Sequence, residues 1–128
     1  MRDRQRGSAA VDFVLVGLLV TLLFLAIVQL AVDYHVRNVL AACAAEGARY
    51  GANADVADAQ AGADKANDLI RVSLGAAYAR AVAPSAQDSV DGAPVVTVKV
   101  RARMPLLTWF LPYGPTVTAT GHALLEPA

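Results

Sequence analysis

The sequence predicts an α+β protein organised around one long N-terminal helix, the first part of which crosses a membrane. Residues 13–32 contain no charged side chain, and a helix of about twenty residues spans about 30 Å, the thickness of a bilayer's hydrocarbon core. Apolar residues at helical spacing then predict a second, amphipathic helix. Valines that alternate with polar residues near the C-terminus predict a small antiparallel β-hairpin or sheet.

Length and composition restrict the possible functions. The 128 residues suffice for one membrane span and one small module after residue 32, but not for a second full domain. Eleven basic and eleven acidic residues balance, and the basic ones are dispersed after Arg6, so no nucleic-acid partner is expected. The single cysteine, Cys43, excludes an internal disulfide and a site built from several thiolates.

The charges that flank the uncharged run predict its orientation. Arg2, Arg4 and Arg6 precede it, whereas the nearest basic residue after it is Arg37. This asymmetry predicts a cytoplasmic N-terminus and an extracytoplasmic C-terminal part. The run is longer than the core of a signal peptide and is followed directly by polar residues, so we expect it to remain as an anchor.

A glycine and a carboxylate lie where the apolar run begins. Gly7 is a poor helix former and offers a point where the backbone can open for a membrane peptidase. Cleavage there would make Ser8 the new N-terminus, with its amine about one helical turn from Asp12. The alternative is that Asp12 only caps or charges the first turn of the membrane helix.

Two stretches of the sequence resemble known families. The basic head, Gly7, and a hydrophobic helix with Asp12 and Phe13 at the fifth and sixth positions after the glycine resemble the class III signal of type IV pilins and pseudopilins. The acidic residue of that signal is usually Glu, which is one methylene longer. RGSAAVDF at residues 6–13 and AAEGARYGA at residues 44–52 resemble the TadE-like family of tight-adherence (Flp) pilus assembly systems.

The resemblance implies a non-enzymatic pseudopilin of type IVb pilus assembly, without a cofactor, that a prepilin peptidase cleaves after Gly7. The implied partners are the lipid bilayer, that peptidase, other pilins or pseudopilins and the assembly platform, and whether the protein enters the filament stays open. The alternative function is an uncleaved, single-pass binding module of the cell envelope. No HExxH, GxSxG, Cys/His cluster or phosphate-binding loop occurs in the sequence, so no catalytic site is expected.

Four segments are predicted: a basic leader at residues 1–7, a transmembrane helix at 8–32, a helical stalk at 33–52 and an extracytoplasmic α+β head at 53–128. In the stalk, small residues at helical spacing let another helix approach closely, and that helix belongs either to another subunit or to the protein's own head. These residues are Ala44, Gly47, Ala48 and Gly51. Residues 40–43 match a bacterial lipobox, so Cys43 is either a packed thiol or a lipidated one.

In the head, residues 55–82 predict one helix with a buried stripe, followed by a polar linker that extends to Asp91 and Gly92. The stripe consists of Ala59, Ala63, Ala66, Ile70, Leu74 and Ala77. Residues 95–103 and 116–125 predict two paired antiparallel strands. The face with Lys99, Arg101 and Arg103 is either solvated or binds an acidic partner or surface polymer. The apolar loop at 106–113 either fills the core or meets a partner or the membrane.

Overall fold

The computed structural model describes residues 2–53, 55–79, 86–104 and 114–125, with the backbone alone for 2–7 and 86–88. Its helices are α1 (Arg2–Ala52), α2 (Ala59–Ser73) and α3 (Ala76–Ala79), and its strands are β1 (Ala86–Val90), β2 (Ala93–Arg103) and β3 (Thr116–Leu124). The predicted α+β class, with a long N-terminal helix, a second helix and a small antiparallel sheet, is confirmed. The chain divides into two compact units, Met1–Val32 and Asp33–Ala128.

The part of α1 that belongs to the second unit buries one face. The side chains of Val36, Leu40 and Cys43 are buried, and Val39 is half-buried. Because residues three and four apart share a side of a helix, the same face continues through the small residues 44, 47, 48, 51 and 52, which are all buried. This face gives the head a helical wall built largely from alanine and glycine.

A tight turn joins α1 to α2. The carbonyl oxygen of Asn53 accepts hydrogen bonds from the N–H groups of Val56 and Ala57, and the carbonyl oxygen of Gly51 accepts one from Asp58. Asp58 is the N-cap of α2, since its carboxylate accepts the N–H of Gln60 at 2.9 Å. The predicted helix start at residue 55 is therefore wrong, because the capping carboxylate sets the first helical residue at 59.

The predicted helix over residues 55–82 also ends earlier than expected. The carbonyl oxygen of Ile70 accepts the N–H groups of both Leu74 and Gly75, and Gly75 has φ +100°, which terminates α2. The predicted stripe is buried through Ile70, but Leu74 is half-buried and Ala77 is exposed. Residues 80–82 lie outside the described part of the chain.

The sheet has three antiparallel strands in the order β1-β2-β3. The polar linker predicted before residue 95 is wrong, because part of it forms β1 and a two-residue turn. Asp91 and Gly92 have φ values of +52° and +82° and join β1 to β2, as in the hairpin turns that favour Asp-Gly. This signal was present in the sequence, but the strand before it is short and polar.

The predicted pairing of the last two strands is confirmed. In β2, Val96, Val98 and Val100 are buried against the helices, and Val98 pairs with Gly121 of β3. Lys99, Arg101 and Arg103 are exposed, as predicted for the polar face. The apolar loop predicted at residues 106–113 lies outside the described residues.

Thr97 departs from the predicted alternation. It lies on the polar face of β2, yet its side chain is buried. Its hydroxyl lies 2.9 Å from Nδ1 of His122, the residue opposite it in β3. A cross-strand hydrogen bond of this kind satisfies a hydroxyl that has lost contact with water.

Candidate processing and assembly segment

The first unit is a helix whose apolar side chains are exposed. From Val11 to Ile27 the large hydrophobic side chains are exposed, and that of Phe13 is 80% exposed. The hydroxyl of Thr21 donates to the carbonyl oxygen of Gly17 at 2.8 Å, which satisfies the polar group inside the uncharged run. Exposed apolar surface of this extent marks a site of contact with a membrane or another protein.

One helix among the described residues is long and apolar enough to cross a membrane. Its candidate span lies within Ser8–Ala52, and none of its most apolar window is buried in the structure. A core helix of a soluble protein would bury most of that window, whereas a membrane helix leaves it for lipid. Length, composition and exposure therefore fit a helix that crosses a membrane.

Asp12 lies within the helix that carries this apolar surface, one turn after Ser8. The two residues are four apart, so they share one face of α1. Val11 and Phe13 flank the carboxylate, and all three side chains are exposed. The Asp12 carboxylate forms no ion pair or hydrogen bond with the residues whose side chains the structure describes, 8–53, 55–79, 89–104 and 114–125. The carboxylate is thus presented at the surface of the helix, where a charged group of another chain can reach it.

Gly7 lies inside α1, and the helical backbone extends from there back to Arg2. A single glycine costs a helix about 1 kcal/mol relative to alanine, too little to end it when good helix formers surround it. Peptidase cleavage after Gly7 would require this turn to unwind locally. The leader is therefore helical in the structure, whereas the sequence distinguished it only by charge.

The predicted small residues of the stalk pack within the chain. A Cβ added at Gly47 would lie 2.5 Å from the carbonyl oxygen of Gly62 in α2, and one added at Gly51 would lie 2.7 Å from that of Asp58. Ala44 and Ala48 are fully buried. Of the two alternatives for this face, packing on the protein's own head accounts for its burial, so the face is not available to another subunit in this conformation.

Two further glycines of the same packing were not singled out from the sequence. A Cβ on Gly62 would meet the carbonyl oxygen of Gly47 at 2.7 Å, and one on Gly121 would overlap the backbone of Ala44 and Ala45. A glycine in the interior of a strand often marks a close approach of another backbone. The contact at Gly121 could therefore have been predicted from the sequence. Outside this contact, Lys65 of α2 places its Nζ 5.8 Å from the ring centroid of Tyr50 in α1.

The thiol of Cys43 is buried in the second unit. Burial raises its pKa above the ordinary value, and a hydrogen bond with Ser73 partly offsets that rise. Burial, together with the carboxylate of Asp33, likewise raises the pKa of Tyr78. A neutral, enclosed thiol reacts slowly, which agrees with a packed cysteine rather than a modified one.

Comparison with known proteins gives a family match, and it covers the region that contains Gly7 and Asp12. The family model described as TadE-like protein matches residues 7–49. These residues resemble the TadE-like family. The matched range begins at Gly7, contains Asp12 and Phe13, and extends into the buried part of α1, so the family resemblance inferred from the sequence is confirmed. No curated protein and no solved structure gives a significant match. The TadE-like match and the apolar helix together fit a membrane-anchored protein related to the Tad pilus.

Proposed function

We propose that the protein is a pseudopilin of Tad pilus assembly, cleaved after Gly7 by a prepilin peptidase and held in the bilayer by residues 8–32. The observation that carries this proposal is the position of the match, which starts at Gly7 and includes the exposed Asp12. Its N-terminus lies in the cytoplasm and its head outside, because Arg2, Arg4 and Arg6 precede the span. TadE-like proteins are components of pilus assembly, and the proposed role needs no catalytic residue.

Cleavage would create a charge pair between Ser8 and Asp12. The new amine lies four residues before the carboxylate, a spacing that brings two helical side groups to within about 6 Å. Attraction between opposite charges is several times larger at a partly buried site than in water. The same carboxylate can alternatively pair with the Ser8 amine of a neighbouring subunit, which would align adjacent membrane helices during assembly.

The membrane helix has the properties needed for such lateral contacts. Its only hydrogen-bonded polar side chain among residues 13–27 is Thr21, which bonds to its own helix. Helices in lipid associate through close van der Waals packing and a few polar contacts. A single ionic contact at Asp12 is therefore well suited to set the axial register between otherwise apolar neighbours.

Processing is tested by the N-terminus of the mature protein. The full chain is purified from membranes of its natural host and examined by intact mass and N-terminal sequencing. A start at Ser8 supports the proposal. A start at Met1 contradicts it and favours an uncleaved binding module of the envelope, whereas an acylated N-terminal Cys43 would indicate a lipoprotein.

The matched variants for processing are Gly7→Val and Gly17→Val. We expect Gly7→Val to abolish the Ser8 terminus, because the peptidase needs an opening without a side chain. Gly17→Val lies in the same helix, where an added Cβ meets no atom within 4 Å. It should be processed normally, which separates a local effect at the cleavage point from a general effect of valine on the helix.

The role of the carboxylate is tested by substitution of Asp12 in the host. Asp12→Ala should leave membrane insertion and Ser8 formation intact but reduce piliation by about tenfold or more, the effect of losing about 1.4 kcal/mol. Asp12→Glu should assemble, whereas Asp12→Asn should fail because it keeps the size but not the charge. Asp68→Ala, an exposed carboxylate of α2, is the control. Normal piliation of Asp12→Ala would refute the pairing role even if Gly7 is cleaved.

A further inference from the structure

The outer edge of β3 presents backbone groups that form no hydrogen bond with the described residues. At one end of the β2–β3 ladder the N–H of Leu125 donates to the oxygen of Pro94. At the other end the N–H of Met104 donates to the oxygen of Pro115. Because bonded and non-bonded pairs alternate in an antiparallel ladder, the odd-numbered residues of β3 bond to β2. The N–H and C=O groups that point away from the sheet belong to Thr116, Thr118, Thr120, His122 and Leu124.

Within the described part of the chain, this edge lacks the features by which proteins usually protect an exposed strand. Natural edges carry prolines, lysines or bulges, or are very short. Thr116–Leu124 contains no proline and no lysine or acidic residue, and its register with β2 is continuous from end to end. Its threonines and valine favour an extended backbone. β1, at the other edge of the sheet, is five residues long and so offers a much shorter template.

The face of the sheet beside this edge is basic. Lys99 and Arg101 of β2 lie directly opposite Thr120 and Thr118. Arg103 continues the same row, and all three cations are exposed. A strand added next to β3 would lie two strand spacings, or about 10 Å, from β2. The long side chains of lysine and arginine can cover most of that distance, so carboxylates on the added strand would be attracted to this row.

A cavity adds a further cation at the end of β3. It has a volume of about 200 Å³ and is lined by Arg49, Ala52, Asn53, Ala123 and Leu124. Arg49 lies in the last turn of α1 and its side chain is exposed. The guanidinium and the amide of Asn53 offer hydrogen-bond donors to a carboxylate that enters the cavity.

We propose that the edge of β3 binds an extended acidic segment of a partner protein by strand addition. The backbone of the segment pairs with the outward N–H and C=O groups. Its carboxylates on one face lie toward Lys99, Arg101 and Arg103, and a carboxylate that points to the opposite face, where α1 packs, reaches Arg49 in the cavity. A second copy of β3 fits this site less well, because it would bring a second basic row and no carboxylate. This proposal is independent of cleavage at Gly7.

The test uses the full chain in nonionic micelles and two synthetic probes. One is a ten-residue peptide of alternating Glu and Val, and the other alternates Lys and Val. We expect the Glu peptide to slow amide hydrogen exchange at Thr118, Thr120 and His122 by about tenfold or more. The amides of 117, 119 and 121 already bond to β2 and should change less. Equal binding of the Lys peptide would overturn the proposal.

Two pairs of variants separate the backbone contact from the charge contact. Thr118→Pro removes an outward N–H without removing a bond to β2, and edge strands tolerate proline at such positions. It should abolish binding of the Glu peptide, whereas Thr118→Ala should bind normally. Arg101→Glu should weaken binding by about tenfold at low salt, whereas Arg71→Glu, on the exposed face of α2, should have no effect.

Two further results would overturn the proposal. Binding of the Glu peptide to a folded Thr118→Pro variant with unchanged affinity would mean that the backbone edge is not used. Protection of the same amides that rises with protein concentration in the absence of peptide would assign the edge to a second copy. Circular dichroism of each variant establishes that the sheet is intact before binding is compared.

Discussion

The two units of the chain place their apolar side chains in opposite surroundings. In the first unit Leu19 is 66% exposed, whereas in the second Leu40 and Val98 are completely buried. Burial of apolar surface stabilises a fold by about 25 cal/mol per Å². The second unit obtains this stabilisation from its own packing. The first can obtain it only from lipid or from another chain, which is why the proposed membrane span and the proposed assembly surface can coincide there.

Glycines show the same difference between the units. Gly17 has open space where a Cβ would be, whereas Gly47, Gly62 and Gly121 face the backbone of another element. Helix propensity alone would favour alanine at both kinds of site. In the second unit, however, the absence of a side chain is what lets α1 approach α2 and β3 closely.

The largest effect on the head is expected from Gly121→Val. The new side chain would overlap the backbone of Ala44 and Ala45, and neither backbone can move without displacing α1 or β3. We expect a loss of about 4 kcal/mol in the free energy of unfolding or failure to fold, measured by urea denaturation of the full chain in micelles. Gly17→Val is the control, and a similar loss there would contradict the distinction between open and closed glycines.

A smaller effect is expected from truncation of a buried leucine. Leu40→Ala removes a fully buried side chain and should lower the free energy of unfolding of the head by about 3 kcal/mol. The control Leu19→Ala shortens an exposed leucine in the first unit and should leave head unfolding unchanged, with only a slight decrease in membrane partitioning. If both variants destabilise the head equally, the two units fold as one.

The smallest effect concerns alkaline pH. Burial raises the pKa of Cys43 above its ordinary value of 9.0 and that of Tyr78 above 10.0. The folded head therefore holds these protons more tightly than the unfolded chain, so their stabilisation is complete below about pH 9 and is lost as the pH rises. Tyr78→Phe and Cys43→Ala should each flatten the decrease in stability seen in alkaline urea titrations. An unchanged pH profile in the double variant would contradict this assignment.

Most of the secondary structure was predictable, because each long element has a clear pattern of apolar residues in its own sequence. The uncharged run predicted α1, and the alternating valines predicted β2 and its pairing with β3. The errors lie where single residues outweigh a pattern. Asp58 delays the start of α2, Gly75 ends it early, and the Asp91-Gly92 turn organises the short strand β1. A periodic pattern reflects many residues at once, so it does not reveal the effect of a single cap or turn residue.

For the candidate site the sequence was informative about the first unit and ambiguous about the second. Gly7, Asp12 and Phe13 drew attention by their spacing, which is a property of the chain alone, and processing and pairing remain predictions. The small residues of the stalk allowed two partners. Only the fold separated them, since Gly62 and Gly121 come from elements distant in sequence.

The sequence by itself predicted the candidate membrane helix and its orientation and placed the carboxylate at the start of the apolar run, because these depend on local composition and spacing. The tertiary structure decided where the small-residue face of α1 packs, which groups of β3 point outward and how the basic row lies beside them. Such relations depend on contacts between residues far apart in the chain. Their formation requires the whole head to close around Leu40, Ile70 and Val98.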